Sequence, residues 1–273
     1  MTFKNYLIVA SKLDKAGINI TTSLSQYQQG LENMENSFKF YLIDREIINA
    51  DAPEDLEKYS AYDFIIFASK HKSESNTKTL SIHAPGNWRS ADLGGKEKRV
   101  SMSSAVFMKQ AFQKLRKNIK QYDLDDYNLT LECTHHGPFI DKPCMFIEIG
   151  STENEWNDKR AAFVIAKTIA DIIKTYKENP YNEVAVGIGG PHYCPGFNKI
   201  QLNSNFAISH IIPEYSLPLS EEMIKEAISR TFEELDLVIL DWKGLGNSEA
   251  RQQVLNVLSK LYIRYEKTSD IST

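Results

Sequence analysis

Tyr62-Asp-Phe-Ile-Ile-Phe-Ala-Ser-Lys-His71 is the stretch that decides the fold class of this chain. Phe64 to Ala68 is continuously apolar rather than alternating, as expected for a strand covered on both sides, and polar residues follow at its carboxyl end. Asp236-Leu-Val-Ile-Leu240 reads the same way. Further strand-length runs lie at Tyr6 to Ala10, Phe38 to Ile43, Leu80 to Ile82, Leu129 to Leu131, Met145 to Ile149, Glu183 to Ile188 and Phe206 to Ile212. Helical patterns separate several of them. After Ser104, the residues Met108, Ala111, Phe112, Leu115 and Ile119 fall three and four apart. Asn157 to Tyr176 is a longer apolar helix, and Ser220 caps one running to about Leu235. Ser248 opens the last, with Val254, Leu258, Leu261 and Tyr265 on one face. Alternating strands and helices predict an α/β sheet with helices on both faces.

The chain has 273 residues, enough for a sizeable core, and its charged and apolar fractions of 25% and 42% exclude disorder and coiled coil. No apolar run approaches the roughly 20 residues that cross a bilayer, and the N-terminus lacks a signal-peptide pattern. Three cysteines without CxxC spacing argue against a disulfide framework. A soluble, cytoplasmic protein is expected, folded as one domain over 1–273 with a basic excursion at about 70–120. That excursion holds twelve Lys or Arg against three acids, a net +9 that leaves −13 on the rest. Such asymmetry is an electrostatic footprint for nucleic acid, and equally the mark of a solvated lysine-rich helix. Lys109, Arg116 and Lys120 recur seven and four apart, as a stripe on the polar side of the helix after Ser104.

In open α/β sheets, ligands bind beyond the carboxyl ends of the strands. The polar residues that follow the apolar runs are Ser69-Lys-His71, His83-Ala-Pro-Gly-Asn87, Glu132-Cys-Thr-His-His136, Gly189-Gly-Pro-His192 and Asp241-Trp-Lys243; Glu148 lies within its run. Five of six histidines therefore gather at one place if the strands are mostly parallel. His71 reads as a solvated loop residue, His210 as core or site, and Cys133 as a small buried side chain. His135, His136, His192 and Glu148 offer the N and O ligands of a zinc site, or else a metal-free polar network. GxSxG and P-loop patterns are absent, which removes serine-triad hydrolases and NTPases.

Taken together, Ser81-Ile-His-Ala-Pro-Gly-Asn87, Glu132-Cys-Thr-His-His-Gly-Pro138, Phe146-Ile-Glu-Ile-Gly-Ser151, Gly187-Ile-Gly-Gly-Pro-His-Tyr193 and Asp241-Trp-Lys-Gly-Leu-Gly246 resemble the archaeal and plant type of D-aminoacyl-tRNA deacylase, in order along the whole chain. The resemblance implies a three-layer α/β/α sandwich around a mixed, mostly parallel sheet, phosphorylase/hydrolase-like. It also implies hydrolysis of the ester between a D-amino acid and the 3′ end of tRNA, and a zinc requirement.

On that reading His83, His135, His136, Glu132 and His192 are the catalytic candidates. Gly189 and Gly190 offer backbone N–H groups to the oxyanion, and Asn87 and Asp241 join them as substrate-binding candidates. Lys96, Lys98, Arg99, Lys109, Arg116 and Lys120 would hold tRNA phosphates. Neither a protein partner nor a membrane is implied, and a monomer is expected. Two other classes stand beside this one. A metal-dependent amidohydrolase or carboxypeptidase explains the histidines but not the basic segment; a non-catalytic tRNA-binding protein explains only the basic segment.

Overall fold

A computed structural model describes residues 3–27, 37–74, 76–181 and 183–273. Among the described residues ten strands form two sheets. The first holds β1 (Asn5–Ser11), β2 (Ser37–Ile43), β3 (Phe64–Lys70), β4 (Thr79–His83), β5 (Asn128–Leu131) and β6 (Cys144–Gly150), in the order β2-β1-β3-β6-β4-β5. β1, β2, β3 and β6 run parallel, and β4 is antiparallel to β6, with Ser81 opposite Glu148 and His83 opposite Phe146. The second holds β7 (Glu183–Ile188), β8 (Phe206–Ile212), β9 (Leu237–Leu240) and β10 (Tyr265–Lys267), all parallel, in the order β10-β9-β7-β8.

All nine expected strands are present, and the arrangement is the expected mixed, mostly parallel α/β sheet. It is divided, however, and the two parts meet where the chain leaves β5. Cys133 N–H donates to His192 O at 2.9 Å and Thr134 N–H to Ile211 O at 3.0 Å. Residues 132–134 thereby stitch one sheet to the other.

Strand alternation assigns the faces. Ile66, Ile147, Ile149, Leu80 and Ile82 share a core cluster with α1 (Lys15–Ser25), α3 (Ala105–Gln121) and α5 (Lys159–Thr175). α6 (Pro195–Asn203) lies on this side too, through Phe197 and Ile200. Leu7, Val9, Ile65, Phe67 and Phe146 point the other way, against Ile47 and α2 (Pro53–Tyr59). Between β6 and the next long helix lies the short α4 (Glu153–Trp156). The second sheet's outer face is covered by α7 (Glu221–Ser229) and α8 (Ser248–Lys260), together with Trp88 and Val100.

Two helices are shorter than their sequence patterns. α7 stops at Ser229 because Ser103 and Phe232 exchange backbone bonds with the chain there: Ser103 N–H to Arg230 O and Phe232 N–H to Ser103 O, each 2.8 Å. α8 ends at Lys260, capped by the left-handed turn at Tyr262 (φ 54°), so Tyr265 opens β10 instead of extending the helix.

The basic stripe needs correction at Lys109, which is fully buried. Its Nζ donates to Gln201 O (2.7 Å) and Ile200 O (3.3 Å), carbonyls in the last turn of α6. Gln113 donates to Leu202 O beside it. A cation at a helix C-terminus satisfies orphan carbonyls and opposes the negative end of the dipole. Burial pulls the amine's pKa down to about 8. Lys109→Met should therefore lower unfolding free energy by about 1–3 kcal/mol, the cost of orphaned buried carbonyls. Denaturant titration reads that loss, and the salt dependence of tRNA binding should not move.

Candidate active site

The site face of the first sheet is built from alternate residues. Ser69, Ser81, His83, Phe146 and Glu148 project from β3, β4 and β6 toward the side away from α3. His83 is fully buried and lies flat on Phe146, ring centroids 5.0 Å apart and planes within 9°. The segment after β5 brings Glu132, His135 and His136 over this face, and the loop after β7 brings His192. Each β7-side residue owes its place to the stitch at Cys133 and Thr134.

Three imidazoles are locked in one tautomer. Nδ1–H donates to a backbone carbonyl in each: His83 to Ala84 O (3.2 Å), His135 to Cys133 O (2.8 Å) and His136 to Gly137 O (2.7 Å). Each neutral ring therefore presents a bare Nε2 lone pair inward. One ring nitrogen from each of the three lies within 4.8 Å of the other two. All three stay neutral: burial holds His83 at about 4 and His136 at about 3, and burial with the neighbouring imidazoles holds His135 well below its usual value.

Glu132 is the second organising group. Its Oε2 accepts from His192 Nε2 at 3.0 Å and lies 3.2 Å from His71 Nδ1 and 3.4 Å from His135 Nε2. Burial opposes its charge, but His192 and His71 overcome that and hold its pKa well below the carboxylate range. Burial also opposes charge on His71 and His192, yet their partners raise both: Glu132 for His71, Cys133 and Glu132 for His192. Glu148 is pushed well above its usual value, by burial and then by the charge of Glu132.

Several buried polar atoms here have no hydrogen-bond partner among the described residues: His83 Nε2, Glu132 Oε1, Glu148 Oε2 and Ser81 Oγ. Glu148 Oε2 stands 3.5 Å from the bare Nε2 of His83, acceptor against acceptor. That arrangement calls for a cation or a proton between them.

The expected set is thus mostly brought together. Glu132, His83, His135, His136, Glu148 and His192 converge, although no one group of mutually close ligand atoms among the described residues contains all of His135, His136, Glu148 and His192. His71 was read as solvated and is instead buried, with Nε2 on Tyr193 OH at 2.9 Å. The signal was its place directly after Ser69-Lys70 at the end of a central strand. His210 belongs to the core: both nitrogens are used, on Thr134 Oγ1 (3.2 Å) and Arg230 O (3.1 Å). Cys133 is buried as expected, and its Sγ also meets Tyr215 OH at 2.8 Å.

Four substrate-binding candidates fare differently. Gly189 N–H is spent on Ile212 O (2.8 Å) and is not free for an oxyanion. Gly190 packs against Asp241, whose carboxylate a Cβ at Gly190 would meet at 2.8 Å. Asp241 accepts from Gly244 N–H at 3.2 Å and lines a separate cavity with Trp242 and Lys243. Asn87 stands beside the histidines but spends its amide on Gly94 O, pinning its own loop.

Of the basic candidates, Lys96, Lys98 and Arg99 lie on the loop that covers the site face. Arg99 is paired with Glu226 at 2.8 Å, and Lys98 with Glu97 at 3.2 Å. Arg116 and Lys120 are exposed on α3, which packs on the opposite face of the sheet, so they do not share a surface with the histidines.

A largely buried cluster of imidazoles and carboxylates on the face of an α/β sheet, with unpartnered acceptor atoms turned inward, defines a hydrolase-type centre. A family model described as D-aminoacyl-tRNA deacylase matches residues 58–266. The chain belongs to the D-aminoacyl-tRNA deacylase family, and its enzyme class is hydrolase, as the sequence resemblance implied. It is 35% identical to the D-aminoacyl-tRNA deacylase of Pyrococcus abyssi over 96% of this chain and 99% of that one. The Methanocaldococcus jannaschii deacylase is 34% identical, over 91% and 94%. The crystal structure of a conserved protein of unknown function superposes with a TM-score of 0.87 at 31% identity, covering 98% of this chain and 96% of the other. Among the described residues no helix is long and apolar enough to cross a membrane.

His71→Ala tests the corrected placement. Turnover of D-tyrosyl-tRNA should fall about 10²-fold or more, the scale of a lost acid–base partner. The unfolding midpoint should fall as well, because buried Glu132 keeps only His192 as a close partner, so turnover is compared at a temperature where both proteins are folded. Unchanged turnover would return His71 to a bystander.

Proposed function

We propose that this chain removes D-amino acids from tRNA by hydrolysing the ester at the 3′ end, with His83, His135 and His136 holding a zinc ion beside Glu148. The observation that carries the reading is the shared tautomer of the three imidazoles. Each Nδ1–H is committed to a backbone carbonyl, which leaves three Nε2 lone pairs, that of His83 fully buried, on rings gathered within 4.8 Å beside an unpartnered carboxylate oxygen. Three nitrogen ligands and one open position suit catalytic zinc, and backbone-bound Nδ1–H groups are the usual outer support of such ligands. When bound, the ion would supply Lewis acidity and a more acidic water.

The remaining chemistry falls to the chain. Glu132 is held by His192 and His71 through Oε2, which leaves Oε1 buried and unpartnered. On this reading Oε1 would take a proton from the attacking water and return it to the departing ribose oxygen. His71 is steadied in turn by Tyr193. An aminoacyl ester is already activated, so positioned water, one base and charge stabilisation suffice. The reading carries with it the compartment where aminoacyl-tRNA is used, the cytoplasm, and a monomeric enzyme. It favours D-substrates by exclusion: an L side chain would be directed into the histidine wall.

Release of labelled D-tyrosine and L-tyrosine from tRNA, before and after chelation, tests this. The D-form alone should be released, chelation should stop release, and zinc should restore it. Elemental analysis should find about one zinc per chain, lost in His135→Ala. Equal release of both enantiomers overturns the chiral reading. Full activity after chelation, with no stoichiometric metal, overturns the zinc site.

A further inference from the structure

Two clefts open on either side of His135 and His136, and both imidazoles line each of them. The larger, about 610 Å³, runs between Ile47 and Ile48 on one side and Lys70, His71 and Lys72 on the other. The smaller, about 390 Å³, is bounded by Trp88, Asp92, Thr134 and Tyr215. Leu93 stands between them and contributes to both.

Their uncommitted charges differ in sign. In the larger cleft Lys70 is loosely paired with Glu46, at 3.9 Å, and lies over the Trp156 ring. Lys72 is exposed and forms no ion pair with any described residue. In the smaller cleft Arg89 is spent on Ser216 O and Pro218 O, at 2.9 and 2.7 Å. Asp92 there is exposed, and among the described residues its carboxylate meets only the Ser90 hydroxyl, at 2.6 Å. Tyr215 is 60% exposed although its hydroxyl is fixed on Cys133 Sγ, so a large aromatic surface is held in place and left uncovered.

An aminoacyl ester has two arms of opposite charge on one carbonyl: a nucleotide with its 5′-phosphate, and an amino acid with its ammonium group. Resting on the deacylase reading, we propose that the larger cleft receives the 3′-terminal nucleotide with its phosphate on Lys72. The smaller cleft receives the D-aminoacyl group, its ammonium toward Asp92 and its side chain on Tyr215. The ester then falls between the clefts at His135 and His136, where the chemistry is. A base or sugar lodged against Ile47 and Ile48 needs no sequence reading, because the tRNA 3′ end is invariant. An uncovered tyrosine face accepts many side chains, which suits an enzyme that tests handedness rather than identity.

The test uses D-tyrosyl-tRNA and D-alanyl-tRNA, together with 5′-AMP as a probe of the nucleotide cleft. In Lys72→Glu, KM should rise about tenfold for both substrates with kcat within about twofold, and AMP should bind about tenfold more weakly. The salt slope for tRNA should flatten by about 0.7, one single-strand phosphate contact. Tyr215→Ala should leave AMP affinity alone and cut the preference for D-tyrosyl over D-alanyl substrate about tenfold. All variants lie at the surface, and their unfolding midpoints check the fold. Unchanged KM and AMP affinity in Lys72→Glu overturns the assignment, as does a changed amino-acid preference in that variant. A wild-type protein that binds AMP through Lys72 but releases no amino acid overturns the deacylase reading and leaves the nucleotide cleft standing.

Discussion

Two backbone hydrogen bonds, Cys133 N–H to His192 O and Thr134 N–H to Ile211 O, hold the two sheets edge to edge. The meeting of the two sheets' groups at the site depends on that seam. It makes the segment after β5 a bridge whose side chains divide the work: Glu132 reaches His71, Thr134 meets His210, His135 packs on His83 and His136 on Phe146. It also brings His192 from the end of β7 to within 3.0 Å of a carboxylate that belongs to the other sheet. Breaking the seam would separate the groups that make Glu132 a stable buried anion.

Burial makes that separation costly. A carboxylate taken out of water without partners shifts its pKa and neutralises; one that accepts from two imidazoles keeps its charge. The carbonyls of Ala84, Cys133 and Gly137 meanwhile fix where three protons sit, so that the bare nitrogens of His83, His135 and His136 have no choice of direction. The ring of His83 is further clamped against Phe146, which itself stacks on Phe67 at 4.8 Å. Aromatic packing under the site and backbone acceptors around it thus produce one arrangement rather than a family of rotamers, as catalysis by positioning requires. Two mismatches remain, acceptor facing acceptor at His83 and Glu148 and at His135 and Glu132, each where a proton or a ligand would resolve it.

Strand positions were legible because burial on both faces writes itself as unbroken apolar runs. Strand direction was not. The sequence places His83 after an apolar run just as it places His71, yet β4 is antiparallel to its neighbour β6. His83 reaches the cluster because it projects from the strand itself, onto the face where Glu148 projects from β6. Apolar periodicity likewise identified the helix bearing Lys109 but could not show that the polar side of its first turns lies under α6. Lysine at a helical polar position usually meets water; here it meets carbonyls, a distinction that exists only once two helices are packed. The burial of His71 and the choice between core and site for His210 were hidden for the same reason. Both nitrogens of His210 are taken, by the Thr134 hydroxyl and Arg230 O, whereas His71, just past a strand end, meets what the next loops deliver.

The same packing decides where a polyanion can approach. Arg116 and Lys120 stand on the outer side of a helix about 10 Å thick, itself stacked on the far face of the sheet. The screening length at physiological salt is about 8 Å, so through solvent their charge is largely spent before it reaches the histidines. Cations on the near face act at contact range instead. Lys96 there sits over the Phe139 ring at 4.6 Å, and Lys72 lines the larger cleft. With −13 spread over the remainder of the chain, a tRNA body is repelled from most of the surface. The +9 of residues 70–120 therefore divides into two functions that the sequence had merged. In its first half Lys72 lines a cleft at the site and can meet a phosphate next to the chemistry, whereas Lys78, Arg89, Lys98 and Arg99 are already paired. Its second half, carried on α3, contributes a helix cap through Lys109 and a solvated surface through Arg116 and Lys120. Charge counted along a chain becomes a binding surface only where the fold leaves it unpaired and on the same side as the reaction.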